Sequence, residues 1–380
     1  MLLAASTVVF RLGAGASKVA QVTMRQPEAA FGMRLRHPCL YLLALAGMLP
    51  CLATTSGCHV VHKVQADYHL DRGEKLLAQD NLDRALVEFE KASQLSPKLA
   101  AAPSRMGTIY RRMGDYEHAI ACFLEAIRRN PFSFDDTLNL AQLYHFSSRL
   151  RDAVQAYLHA TELQPDHFEA QLNLGACYQQ LGDYDQAVER FERAIAVDPD
   201  QPSSYVNLGV TLDSQGKYYE AIRAYKEALE RDNRQPLVLV NLAHTYVNQN
   251  RLKLARGTLQ RAVRMDPQLG VAHEALGYCL FRMRDFDAAE VAYRDAIACD
   301  KGLTRSYAGL GSICMLRYLE DATRTDVRAE ALEYWHRSLE VDPDQPRIRK
   351  LIARYESSSQ DPDTVLLSDR QTPTQSAGGS

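Results

Sequence analysis

The sequence lacks any block of like charge and any basic patch. Its 380 residues include 44 Lys and Arg against 47 Asp and Glu, which gives a net charge of −3 at pH 7. Proteins that hold nucleic acid by its phosphates need clustered positive charge. We therefore predict no nucleic-acid partner for this chain.

Paired cysteines are also missing. None of the eight cysteines belongs to a Cys-x-x-Cys motif, and the five that follow the N-terminal region are an odd number. A disulfide framework or a zinc site is therefore not expected. We interpret these five as small apolar side chains in helix packing. They are Cys122, Cys177, Cys279, Cys299 and Cys314.

Motifs that carry catalytic chemistry are absent as well. The sequence has no His-Glu-x-x-His, nucleophile elbow, Walker motif or dinucleotide fingerprint. The stretch Gly13–Lys18 has some features of a phosphate loop but lacks the Gly-Lys-Ser/Thr order. We predict a protein that is not an enzyme and that has no cofactor, no metal and no small-molecule substrate.

What the sequence does contain is a strict internal period. Alanine recurs every 34 residues over seven units without a slip, and such a fixed period is typical of repeat architectures. The alanines are Ala85, Ala119, Ala153, Ala187, Ala221, Ala255 and Ala289.

Other positions keep the same period and predict paired helices. In the unit around Ala187, Phe191 and Ala194 follow at offsets of four and seven, which place all three on one face of a helix. Gly175, twelve residues earlier, would let a preceding helix come close. Gly182-Asp183 between them suits a tight turn. Each unit is therefore a helical hairpin whose apolar face needs a neighbouring hairpin.

These positions resemble the tetratricopeptide-repeat (TPR) family, most closely in the unit from Phe168 to Gln201. The resemblance covers residues 66–345 and implies an all-α, right-handed α-solenoid of about eight hairpins. The first helix of each hairpin would line its inner surface. After the eighth unit, residues 346–355 read as a capping helix and residues 356–380 as a disordered tail.

The eighth unit departs from the period. Ala331 follows Ala289 by 42 residues, so eight extra residues fall within 315–328. Eight residues correspond to about two helical turns. Longer helices or a longer loop would both accommodate them.

The N-terminal region has the layout of a secretory signal. A basic start at Met33 precedes an apolar run from Cys39 to Ala53 and then Gly57-Cys58. It resembles a bacterial lipoprotein signal over residues 33–58, which implies lipidation of Cys58 and a membrane anchor on the periplasm-facing side of the envelope. Residues 59–65 would be a short tether and residues 1–32 an upstream extension. A single membrane anchor, or a buried helix in a cytoplasmic protein, are the alternatives.

One polar residue type recurs on the first helix of the middle four units. Asparagine is a mediocre helix former, yet it occupies equivalent positions there, and its amide can pair with a peptide backbone. The pattern resembles the asparagine ladder in the TPR region of O-linked N-acetylglucosamine transferases, which implies binding of extended polypeptide. Bonds to neighbouring helices alone are the alternative. The candidate binding residues are Asn139, Asn173, Asn207 and Asn241, with Gln142, His145, Gln179, His244 and Asn248 on nearby turns.

The function expected from these features is a protein-binding scaffold at a bacterial cell envelope, with a protein or peptide segment as its partner. Two alternatives stay open. One is an accessory subunit that presents substrate to an enzyme such as a glycosyltransferase. The other is a TPR lipoprotein of a pilus or secretion assembly.

Overall fold

The computed structural model describes the backbone of residues 54–357 and the side chains of residues 61–356. This part of the chain contains seventeen helices and no strand. The predicted fold class, an all-α TPR solenoid, is confirmed. Residues 1–53 and 358–380 lie outside the described residues, and with them the predicted upstream extension, most of the signal-like segment and nearly all of the tail.

The helices alternate as first (A) and second (B) members of eight hairpins, followed by one last helix. They divide into two compact units between Pro131 and Phe132, with α1–α4 in the first and α5–α17 in the second. In chain order they are α1 Thr54–Ala78, α2 Leu82–Leu95, α3 Ala101–Met113, α4 Tyr116–Arg129, α5 Phe134–Phe146, α6 Leu150–Leu163, α7 Phe168–Leu181, α8 Tyr184–Val197, α9 Pro202–Ser214, α10 Tyr218–Arg231, α11 Pro236–Asn248, α12 Leu252–Met265, α13 Gly270–Arg282, α14 Phe286–Cys299, α15 Thr304–Glu320, α16 Thr325–Val341 and α17 Pro346–Ser357.

Left-handed backbone ends the A helix of each of the first seven hairpins. In α7, Gly182 has φ +80°, and the amide of Asp183 donates back to the Tyr178 carbonyl at 2.9 Å. This arrangement satisfies a free carbonyl and reverses the chain. The turn glycines expected from the sequence therefore take this role. The positive φ values belong to Asp80, Gly114, Ser148, Gly182, Gly216, Asn250 and Arg284.

A small residue facing a large ring fixes the distance between the two helices of a hairpin. A Cβ atom added to Gly175 would lie 2.7 Å from Cε1 of Phe191, whose side chain is fully buried. Gly73 faces Phe89, and Gly209 faces Tyr225, at similar distances. The ring occupies the space that a side chain on the A helix would need, so the two backbones approach closely only where that position is small.

Residues 59–65, predicted as a short tether, are helical. They continue α1, which runs for 25 residues from Thr54 whereas α3 has 13. No proline interrupts the sequence between Thr54 and Ala78, so the helix extends upstream of the hairpin. The backbone of Cys58 belongs to this extension.

The eighth hairpin accommodates its extra residues in both helices. Both α15 and α16 have 17 residues, compared with 13 in α13 and 14 in α14, and the loop between them gains one residue. The longer helices extend the hairpin by about one turn each.

The last helix covers the exposed end of the eighth hairpin. Ile348, Ile352 and Tyr355 of α17 are buried against the α16 side chain Trp335. Nε of Arg328 donates to the carbonyl of Tyr355 at 3.1 Å. The segment predicted as a capping helix, 346–355, lies within α17.

None of the helices between residues 54 and 357 combines the length and the hydropathy that crossing a lipid bilayer requires.

Two glycine substitutions test the packing rule because they should act in opposite directions. Gly175→Ala places a methyl group against Phe191 and should cost about 1–3 kcal/mol of unfolding free energy. The methyl group added by Gly257→Ala in α12 would have no atom within 4 Å, so this change should stabilise the helix by up to about 1 kcal/mol. Urea unfolding followed by circular dichroism measures both, and equal effects of the two changes would contradict the rule.

Candidate functional site

The A helices of the second unit share one face, which we call the A-helix face. It consists of a first-turn row and, four residues further along each helix, an asparagine row; a spacing of four keeps both rows on the same side. Neighbouring A helices from α7 to α15 contact one another, so the rows continue from helix to helix. The first-turn row is Asp135, Glu169, Ser203, Leu237, Val271 and Arg305, and the asparagine row is Asn139, Asn173, Asn207, Asn241, Ala275 and Gly309.

All four predicted asparagines are half-buried, but they differ in what they bond. Asn173 hydrogen bonds with the hydroxyl of Tyr157 on α6, in the preceding hairpin. Burial raises the pKa of Tyr157, so this hydroxyl keeps its proton. The Asn173 amide therefore joins two hairpins, which is the alternative role considered for these residues.

Asn207 and Asn241 leave their side-chain amides unused. The Asn207 carbonyl of the backbone accepts from Oγ1 of Thr211 at 2.7 Å, and that of Asn241 accepts from Oγ1 of Thr245 at 3.2 Å. Within residues 61–356, neither side-chain amide has a hydrogen-bond partner. Phe191 stands where Tyr157 would be one hairpin later and has no hydroxyl to offer Asn207, whereas Tyr225 takes that place before Asn241 but forms no hydrogen bond with it. Within the asparagine row, these two amides are therefore available to a partner.

Gln179 links neighbouring A helices. Its Nε2 donates to Oγ1 of Thr211 at 2.8 Å, and lies 3.4 Å from the Asn207 carbonyl. One hairpin on, Asp213 takes the equivalent place. Burial raises the pKa of Asp213, and the nearby side chains of Thr245 and Asn248 lower it. Gln179 thus links two A helices, and Asn248 lies next to Asp213 at the edge of the face.

Gln142 and His145 on α5 are also engaged across hairpins. Nε2 of Gln142 donates to Oε1 of Glu169 at 2.9 Å. Gln180 donates its amide to Nε2 of His145 at 2.9 Å, and the imidazole lies edge-on to the Tyr157 ring. Burial lowers the pKa of His145, so the ring is neutral at pH 7 and accepts this bond.

His244, Glu274 and Arg305 are the titratable residues at the far end of the face. Burial lowers the pKa of His244, and the positive charge of Arg305 adds to the effect. Burial also raises the pKa of Glu274, although the Ser306 hydroxyl donates to Oε2 of Glu274 at 3.0 Å. Both shifts disfavour the charged forms, and Arg305 is exposed.

Sequence reasoning missed Thr211, Thr245 and Asp213, which determine how the asparagine row is held. The two threonines are 34 residues apart and four residues after an asparagine. That spacing was a visible signal for a recurring bond to the preceding turn of the helix. Asp213 gave no such signal, because its position is not occupied by the same residue type in every hairpin. The equivalent residue one hairpin earlier is Gln179.

The different roles of the asparagines predict different effects on stability. Asn173→Ala should cost about 1–3 kcal/mol of unfolding free energy, because it leaves the buried Tyr157 hydroxyl without a partner. In a Tyr157→Phe background the same change should cost little, since the bond is already gone. Asn207→Ala should be neutral or slightly stabilising. Urea unfolding of the four variants measures this, and equal costs for Asn173 and Asn207 would contradict the assignment.

Comparison with known proteins supports the fold. The C-terminal part of a TPR repeat-containing protein from Cytophaga hutchinsonii is 17% identical; the match covers 63% of this chain and 99% of that one, with a TM-score of 0.53. A chain in the crystal structure of the APC/C hetero-tetramer Cut9-Hcn1 is 16% identical; the match covers 76% of this chain and 55% of that one, with a TM-score of 0.50. At these identities the likeness shows the TPR fold alone. No curated protein sequence matches the chain.

A family model matches a much longer continuous stretch of the sequence than one repeat. It describes the C-terminal domain of cilia and flagella-associated protein 70 and matches residues 59–306, from within α1 to the start of α15. This range contains the whole asparagine row up to Asn241. The chain is a TPR-repeat protein that belongs to the family of the cilia and flagella-associated protein 70 C-terminal domain.

Proposed function

We propose that this chain is a non-enzymatic scaffold that binds an extended polypeptide along the A-helix face of its second unit. The observation that carries the proposal is the pair of half-buried amides of Asn207 and Asn241, which have no partner among the described side chains. A side-chain amide offers two donors and an acceptor. Leaving it half-buried and unpaired costs free energy that a bound backbone would recover.

The surroundings of the two amides also fit a peptide. Val206 and Val210 flank Asn207 on α9, and both are only partly buried. Apolar side chains next to amide groups can hold both the side chains and the backbone of an extended segment, as in other peptide-binding grooves. Membership in a TPR family, whose members are typically protein-interaction scaffolds without catalysis, agrees with this function.

A second candidate function is a structural part of a large assembly, in which the bound polypeptide is another subunit. The name of the matching family, a protein associated with cilia and flagella, favours it. The pilus or secretion assembly and the substrate-presenting subunit of an enzyme are variants of the same proposal. They differ in the partner and share the binding face.

We also propose, from the sequence alone, that the chain is exported and lipidated at Cys58 at a bacterial envelope. The order of basic start, apolar run and Gly57-Cys58 supports the proposal. Processing before Cys58 would remove the first four residues of α1 and leave the hairpin intact.

Lipidation predicts a defined mass and location. The full chain expressed in a bacterium should lose residues 1–57 and gain acyl groups at Cys58, and Cys58→Ala should abolish both changes. Intact mass spectrometry of the membrane fraction measures this, with Cys122→Ala as the matched control. An uncleaved chain that carries no lipid would refute the proposal.

The binding function predicts that Asn207 and Asn241 matter for affinity more than for stability. Peptides selected from a random display library against the full chain serve as probes. The double variant Asn207→Ala, Asn241→Ala should bind them about 10- to 100-fold more weakly, because each lost hydrogen bond is worth about 1 kcal/mol. Its unfolding free energy should not fall by more than about 0.5 kcal/mol. Fluorescence anisotropy measures the affinity.

Asn233→Ala is the control, since Asn233 is exposed in the loop before α11 and lies off the face. Unchanged affinity in the double variant, or an equal loss in the control, would overturn the proposed site.

A further inference from the structure

We propose that the bound segment has a fixed charge order: basic residues over α5 and α7, aliphatic residues over α11 and α13, and an acidic residue over α15. This inference rests on the proposed function and names the chemistry of the partner. It comes from the first-turn row of the A-helix face, where the side-chain chemistry changes in one direction along the second unit.

The acidic end of the row is formed by Asp135 on α5 and Glu169 on α7. Both are exposed. Glu169 accepts a hydrogen bond from Gln142, and neither carboxylate forms an ion pair with a cation among residues 61–356. Their charge is therefore available to a partner. Asn173 and Gln180 complete this polar part of the face on α7.

The middle of the row is apolar. Leu237 on α11 is half-buried and Val271 on α13 is 38% exposed. Val206 extends the patch on α9, where it packs on the core below while part of its surface stays accessible. Aliphatic side chains of a partner would remove that accessible surface from water, which is favourable.

The far end of the row is Arg305 on α15. It is exposed, and its titratable neighbours on the facing helices, His244 and Glu274, have pKa values shifted toward their neutral forms by burial. Ser306 already occupies one oxygen of Glu274. Arg305 forms no ion pair among residues 61–356, so its exposed guanidinium is open to a partner, and a carboxylate is its complement.

The spacing between helices sets the spacing within the partner. Packed helices lie about 8–10 Å apart, and an extended chain advances about 3.3 Å per residue. Each step from one A helix to the next thus corresponds to about three residues. Five steps from α5 to α15 give a segment of about 16 residues, with basic side chains near positions 1 and 4, aliphatic ones near 10 and 13, and an acidic one near 16, numbered from the α5 end.

The experiment is selection of random 18-residue peptides on the full chain and on charge-reversed variants. Peptides that bind the unchanged chain should align on the basic, aliphatic, acidic order, and the alignment also gives their direction. Asp135→Lys with Glu169→Lys should convert the basic preference at one end to an acidic one and leave the other end unchanged. Arg305→Glu should convert the acidic preference at the α15 end to a basic one and leave the α5 end unchanged. Arg305→Ala, a milder change, should simply lose the acidic preference.

Matched controls carry the same charge changes off the face. Glu192→Lys on α8 and Arg261→Glu on α12 are exposed positions of B helices and should leave the selected order unchanged. A synthetic peptide of the selected sequence should bind about five- to twentyfold more tightly than one with its charged residues exchanged between the ends. Added salt should reduce that ratio.

The outcomes separate the two proposals. Failure of every library peptide to bind would overturn the proposed function together with its charge order. Alternatively, the peptides bind in a way that depends on Asn207 and Asn241 but show no charge order, or an order that the charge reversals do not change. Either result would overturn this inference and leave the proposed function standing.

Discussion

The close approach of two helix backbones, permitted by a small residue on one and filled by a ring from the other, is the interaction on which this structure depends. Gly175 and Phe191 show it most clearly: the ring lies where a side chain would otherwise be, and its burial is complete. A hairpin built this way still has an apolar side that it cannot cover by itself. Each hairpin in the second unit therefore relies on its neighbours, and the last relies on α17.

This packing commits one side of each A helix to the core and leaves the opposite side for other uses. The rows of the A-helix face are a consequence, because a strict period places equivalent residues next to one another on successive helices. Ser203 on α9 and Leu237 on α11 occupy equivalent positions. The difference between them is therefore a change of side-chain chemistry along one continuous surface. The same geometry explains why polar links such as Gln179 to Thr211 join successive A helices.

The period, the turn glycines and the small and aromatic positions could be predicted from the sequence, because each depends on local backbone geometry that repeats seven times. The additional N-terminal turns of α1 could not be predicted, because the apolar run before them favoured a processed signal. The division of the extra residues between α15 and α16 also could not be predicted. The sequence shows that there are eight extra residues, but not whether they lie in the helices or in the loop.

The candidate site was predictable in position and less so in detail. The row of asparagines was visible, but whether each amide bonds within the fold depends on its surroundings in the preceding hairpin. Asn173 meets the Tyr157 hydroxyl, whereas the equivalent residue before Asn207 is Phe191, so residues of identical type have different roles. Such pairings form between neighbouring hairpins, so the sequence of a single repeat does not reveal them.

The position of a bound polypeptide on the second unit is the property to measure. A library-selected peptide carrying a photoreactive group at its centre, crosslinked to the full chain and mapped by mass spectrometry, measures this. We predict crosslinks within the A helices α9 (Pro202–Ser214) and α11 (Pro236–Asn248). Crosslinks confined to the B helices α8, α10 and α12 would contradict the account, because those helices carry none of the A-helix face.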